Sequence, residues 1–178
     1  MHREPLLSLL QQHISADATE QAMTQATIEF VKANPYCFER SLLTGHVTGS
    51  AWIVSPDRQQ ILLIHHRKLD RWLQPGGHAD GDPNVMAVAL REAQEETGLA
   101  SLTVVTDAIF DVDIHEIPTR KDVPAHLHYD IRFLLEADPT EPFGSSEEIN
   151  NIQWFILENA KELVNSESIF RMMRKNVP

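Results

Sequence analysis

Apolar and polar positions repeat along this chain with two different periods, and the switches between them divide it into elements. Residues 5–14 and 17–33 carry apolar side chains at helical spacing. Leu6, Leu7, Leu9 and Leu10 give the first helix an apolar side, Asp17 suits the N-cap of the second, and Asn34 followed by Pro35 ends it. Ala22, Met23, Ala26 and Phe30 share one side of that second helix, while Ile28 and Val31 fall off the stripe. These helices read as an extension that packs on the domain or on a second subunit. Residues 46–54 (HVTGSAWIV) alternate and then become apolar, as a first core strand does; Ser55, Pro56 and Asp57 form a turn. Residues 60–67 (QILLIHHR) have a continuous apolar middle, the mark of a strand buried on both faces. Strands follow at 102–105, 109–114, 125–135 (AHLHYDIRFLL) and 151–156 (NIQWFI). A closing helix over 157–175 offers Leu163, Ile169, Phe170 and Met173 for packing. With no repeat, low-complexity tract or linker, this order predicts an α/β domain over residues 45–178, a mixed sheet with helices on both faces, preceded by a helical extension at 1–44.

One stretch departs from simple packing. Residues 76–99, GGHADGDPNVMAVALREAQEETGL, open with a glycine turn and enter a helix at Asp82 and Pro83, a good N-cap and first helical residue; Gly98 suits the position just past its end. At about 100° per residue, Glu92, Glu95 and Glu96 lie within a narrow arc beside Val85, Val88 and Ala89, which should be buried. Three carboxylates against a buried face repel one another and lose solvation unless a cation neutralises them. Hard divalent cations take such oxygen ligands, so the stretch reads as a metal site at a glycine-rich loop.

The same residues resemble the Nudix box, G-x5-E-x7-R-E-U-x-E-E-x-G-U, in which U is a bulky apolar residue. Gly77, Arg91, Glu92, Glu95, Glu96, Gly98 and Leu99 fall in register, with Ala93 as a small first U. Pro83 stands where the family has its first glutamate, a residue described as supporting the loop–helix geometry, and Asp80 or Asp82 offers negative charge nearby. Gln74 stands where relatives often carry an apolar residue. The resemblance covers about residues 45–160 and implies the Nudix α/β/α sandwich. It also implies a Mg²⁺ or Mn²⁺ site made by Glu92, Glu95 and Glu96 with the Gly77 carbonyl. Glu96 would be the most direct ligand, and Arg91 would orient the glutamates through an ion pair. Relatives commonly supply a further glutamate before the last strand, where Glu147 and Glu148 stand. Glu148 is the favoured ligand or base, with Glu92 and Glu147 as rivals and a solvated acidic loop as the plain alternative. Arg67 sits where relatives often place a phosphate-binding arginine; a solvated basic residue is the competing reading.

Composition narrows the partners. At 178 residues the chain has room for one domain with a proper core plus an extension. A net charge of −11 argues against a nucleic-acid polymer, though local cations can still favour a small phosphorylated substrate. No apolar run is long enough for a membrane span, and the N-terminus lacks the features of a secretory signal. The single cysteine, Cys37, excludes an intramolecular disulfide and points to a reducing, cytoplasmic setting; it reads more readily as a small buried hydrophobe than as a functional thiol.

A second constellation lies on the later strands. Asp111, Asp113 and His115 alternate on one strand, and His126, His128 and Asp130 on the next, so each set shares a face. In an antiparallel hairpin, His115 would oppose His126, Asp113 would oppose His128, and Asp111 would oppose Asp130. That face could line a substrate pocket, hold a transition metal, or be a wet sheet surface. The loop at 116–124 brings Arg120 and Lys121, which either reach a substrate phosphate or form a basic tip.

The resemblance implies a metal-dependent pyrophosphohydrolase, in which water attacks phosphorus in a nucleoside diphosphate linked to a moiety X, with a homodimer allowed. Two alternatives stand beside it: a catalytically silent nucleotide sensor of the same fold, and an isopentenyl-diphosphate-isomerase-like enzyme, which would need a cysteine at the reacting carbon.

Overall fold

The computed structural model describes residues 2–120, 123–144, 149–164 and 166–175, apart from the side chain of Leu163. The N-terminal helices are α1 (Glu4–Gln12) and α2 (Ala18–Ala33). Then come β1 (Gly45–Val54), β2 (Gln60–His66), β3 (Arg71–Leu73) and β4 (Gly76–His78), followed by α3 (Val85–Thr97). The second half holds β5 (Thr103–Val104), β6 (Asp111–Ile117), β7 (His126–Glu136) and β8 (Ile149–Ile156), then α4 (Leu157–Leu163) and α5 (Glu167–Lys175). The short strands β3 and β4 carry no apolar alternation, and the sequence pattern gives no sign of them. The expected closing helix is two helices, separated by Val164, which ends α4 in extended conformation.

All eight strands join one mixed sheet, with the order β3-β2-β1-β7-β5 and with β4, β6 and β8 paired to β1, β7 and β2. Its spine is the parallel pair β1–β7, which runs unbroken from Gly45 opposite Leu127 to Val54 opposite Glu136. The apolar middles of β1 and β2 are buried on both faces, as their continuous hydrophobicity predicts. Ala51, Ile53, Leu62 and Ile64 pack on one side with α1, α2 and α3; Trp52, Val54, Ile61 and Leu63 pack on the other with Ala160, Ile169, Met172 and Met173 of α4 and α5. The result is the α/β/α sandwich.

The N-terminal helices belong to that core. Leu6, Leu7 and Leu10 of α1 are buried in it. Burying a leucine is worth about 2 kcal/mol, so the three together are comparable with a domain's net stability. The buried face of α2 is Glu20, Thr24, Thr27, Ile28 and Val31, not the expected stripe of Ala22, Met23, Ala26 and Phe30. The apolar stripe misleads because α2 turns a charged residue inward: Glu20 is fully buried among His13, Ser15 and Lys175. The apolar side of α1 is thus spent on the protein's own core, while Ala22 and Ala26 of α2 stay exposed.

Candidate active site

The glycine loop is fixed by sheet pairing. Strand β4 lies along the first half of β1, with Thr48 opposite His78, Gly49 opposite Gly77 and Ser50 opposite Gly76. Farther along, β1 pairs instead with β2, Ile53 opposite Leu62. The change of partner lets the loop wrap round the sheet onto α3. The cap of α3 is Asn84, whose side chain accepts a hydrogen bond from the Ala87 N–H at 3.2 Å; Asp82 accepts from the Asn84 N–H one step earlier. Asp82 and Pro83 therefore stand before the helix, correcting the expected start. Gly98 ends the helix at φ 72°, a left-handed conformation that favours glycine.

The carboxylates gather against the loop backbone. Glu96 accepts a hydrogen bond from the Gly76 N–H at 2.9 Å. Glu92 accepts from Arg91 Nη2 at 2.9 Å, and the same nitrogen donates to the His78 carbonyl at 3.3 Å. Glu95 is more exposed, 3.8 Å from Arg91 Nε. Gly77 cradles Glu92, because a Cβ there would lie 2.2 Å from Glu92 Oε2 and push the carboxylate aside. Oxygen donors on one helix face beside an open backbone suit a hard divalent cation.

The polar sheet face has a different register from the one expected. Across β6 and β7, Asp111 faces Arg132, Asp113 faces Asp130, His115 faces His128, and Ile117 faces His126. Alternation sets which face each residue takes, and that holds, but the pairing slides by two residues: Glu116 and Ile117, expected in the loop, extend β6, and the connection at 118–125 leaves the register free. The slide brings in Arg132, which the sequence reading missed. It donates to Asp130 at 2.8 Å and Asp111 at 3.1 Å and lies 3.2 Å from Asp113. Arg171 of α5 adds bonds to Asp111 and Asp113, and Lys175 joins Asp111 to Glu20. Burial alone would raise the Asp130 carboxyl, but Arg132 and the Ser50 hydroxyl hold it below the usual range. Asp113 is likewise held down, against its burial, by His115, Arg132 and Arg171. These aspartates are structural anions in a buried ion network.

Histidines fill the other end of that face. His46 on β1 stands opposite His128 on β7, and His78 on β4 packs edge-on against His128. Burial, then neighbouring histidines, lowers His46 to about 4 and His128 to about 3. Both are neutral at pH 7. His46 and His78 had no place in the sequence-derived site; the alternation of His46, Thr48 and Ser50 was the available signal.

A cleft of about 1230 Å³ joins the two regions. Arg91, Glu92, Glu95 and Glu96 line one part; Asp113, His115, His128, Asp130 and Arg132 line another. Gly77 lines it as well. Three sequence-derived binding residues are placed elsewhere. Arg67 donates to the Asn150 side chain at 3.1 Å, Arg120 bridges to Val123 on the exposed loop, and His126 sits behind His128 with its Nδ1 2.9 Å from the Pro124 carbonyl. None of the three lines the cleft; Arg40, Lys68 and Arg71 supply its remaining cationic side chains. Arg67 stands in the turn after β2, one residue past His66, which does line the cleft. Glu147, Glu148 and Lys121 lie outside the described residues.

Residues 45–175 match the family model of the NUDIX domain. The chain belongs to the Nudix family. A protein of Lactococcus lactis subsp. cremoris described as a probable DHNTP pyrophosphohydrolase is 25% identical over 158 residues, covering 87% of this chain and 89% of that protein. Among solved structures, the Ap4A hydrolase of C. elegans aligns with a TM-score of 0.56 at 19% identity, covering 72% of this chain and 93% of that one. The dihydroneopterin triphosphate pyrophosphohydrolase of E. coli aligns with a TM-score of 0.55 at 17% identity, covering 72% and 92%. At such identities these likenesses show a shared fold. Nudix membership makes this protein a pyrophosphatase acting on phosphorus anhydrides. No described helix is long and apolar enough to cross a membrane.

Proposed function

We propose that the protein is a divalent-metal-dependent pyrophosphohydrolase whose substrate is a nucleoside diphosphate linked to a moiety X, or a similarly built pterin phosphate. The observation that carries this reading is the convergence of Glu92, Glu96 and the Gly77 backbone at one end of a cleft whose walls hold arginines and histidines. Bound Mg²⁺ or Mn²⁺ would neutralise diphosphate oxygens and acidify the attacking water. Glu92, Glu95, Glu96 and the Gly77 carbonyl are the proposed ligands. Arg91, tied to Glu92 and to the His78 carbonyl, sets the glutamate geometry. Glu148 or Glu92 takes the proton from water. Arg40, Lys68 and Arg71, which line the cleft, would meet phosphate charge, and His115 and His128 would meet the base or X. The relatives' names bring dihydroneopterin triphosphate and diadenosine tetraphosphate to this chain as first candidates.

An isomerase-like reaction fares poorly. Cys37 is fully buried, and burial pushes its thiol up to about 11, so it is neither reachable nor ionised. The deciding experiment is a panel of dihydroneopterin triphosphate, dinucleoside polyphosphates, ADP-ribose and nucleotide sugars, assayed for released phosphate products with Mg²⁺ or Mn²⁺. The proposal expects turnover of at least one compound only when metal is present. Tight nucleotide binding without any turnover would establish the sensor reading instead.

A further inference from the structure

We propose that His46, His78 and His128 form a second metal centre, for a divalent transition ion, separate from the carboxylate site. The three residues come from three strands, β1, β4 and β7, and one ligand atom of each lies within 4.8 Å of the others. His46 is 3% exposed, and neither of its ring nitrogens makes a hydrogen bond of ordinary geometry; His128 Nε2 is also buried without one. A buried imidazole left unpartnered is costly, and buried polar atoms in folded proteins nearly always have a partner. One metal ion would give the orphaned nitrogens of His46 and His128 a partner and take His78 as its third ligand.

The chemistry of the donors selects the ion. Three neutral imidazoles suit zinc, cobalt, nickel or iron, whereas magnesium prefers the oxygen ligands of the glutamates. Zinc–nitrogen bonds of about 2.0–2.1 Å would bring the nitrogens to roughly 3.3 Å apart in a tetrahedral site. That closure is within reach of side-chain rotation, since His78 and His128 are only half-buried. His78 and His128 line the cleft, and buried His46 packs against both rings. A fourth coordination position would therefore face the cleft, as in metal centres that bind water or a substrate oxygen.

The full-length protein, stripped by chelator and kept in excess Mg²⁺, is titrated with Co²⁺ and read by visible absorption. Zn²⁺ calorimetry runs in parallel. The proposal expects one equivalent of Co²⁺ with a tetrahedral spectrum, displaced by Zn²⁺. His46→Asn and His78→Asn should each weaken binding by at least about a hundredfold, the upper end for losing an outer partner of a metal site; Glu96→Gln should leave it unchanged. His78 is half-buried, so its variant remains informative if replacing His46 disturbs folding. The proposal is overturned if wild type takes up no Co²⁺ in excess Mg²⁺, if the histidine variants bind like wild type, or if Glu96→Gln removes the signal. The readout does not depend on turnover, so a failed substrate panel leaves the result interpretable.

Discussion

Gly77 and Glu92 are packed so closely that any side chain at 77 would collide with the carboxylate, a Cβ lying 2.2 Å from Oε2. The colliding atom is the end of a flexible side chain, so the fold can absorb Gly77→Ala by moving Glu92 aside. A misplacement of about 1 Å can cost roughly a hundredfold in rate. Gly77→Ala should therefore keep its circular dichroism and melting behaviour while kcat on the best panel substrate falls by about that factor. Unchanged kcat would mean that Glu92 need not sit against the loop.

Arg132 is 2% exposed and contacts three aspartates. Removing one partner from a buried charge network typically costs about 3–5 kcal/mol, because the remaining charges lose their compensation. Arg132→Met, which keeps much of the volume, should lower the unfolding free energy obtained from a urea titration by that amount. A loss below about 1 kcal/mol would show that Arg171 and the hydroxyls suffice for the aspartates.

The network also sets the acid limb of stability. Burial would raise the Glu20 carboxyl, but His13, Lys175 and Ser15 bring it from 4.5 to about 2, and Asp113 is depressed as well. A carboxyl depressed in the folded state contributes fully above its unfolded pKa and loses that contribution as pH falls through the folded value. Stability should therefore decline from about pH 5 towards pH 2, with roughly 3 kcal/mol of the decline belonging to Glu20. In Glu20→Gln the denaturation free energy should start lower at pH 7 and fall less steeply over that window. An identical slope in variant and wild type would remove Glu20 from the account.

What was legible in the sequence follows from which interactions are local. The apolar runs at 46–54 and 60–67 report burial on two faces, and β1 and β2 appear where that pattern stands. Gly98 and the three glutamates report a helix stop and a charged face, both encoded within two turns. Long-range pairing is not encoded that way. The β6–β7 register slid by two residues because parity fixes the face and not the partner. Arg132 and Arg171 look like surface charge until the fold sets them against Asp111 and Asp113. Glu20 broke the apolar stripe of α2 because its compensating partners are His13 nearby and Lys175 at the far end of the chain.

The most direct test of the account is Mg²⁺-dependent turnover by Glu96→Gln. The glutamine keeps an acceptor for the Gly76 N–H, so the loop and the fold should persist. It removes the charge proposed to hold the metal. The account predicts a loss of at least about a hundredfold, beyond the range expected for an outer partner of a metal site, with thermal stability retained. Turnover equal to wild type in a folded Glu96→Gln protein would contradict it.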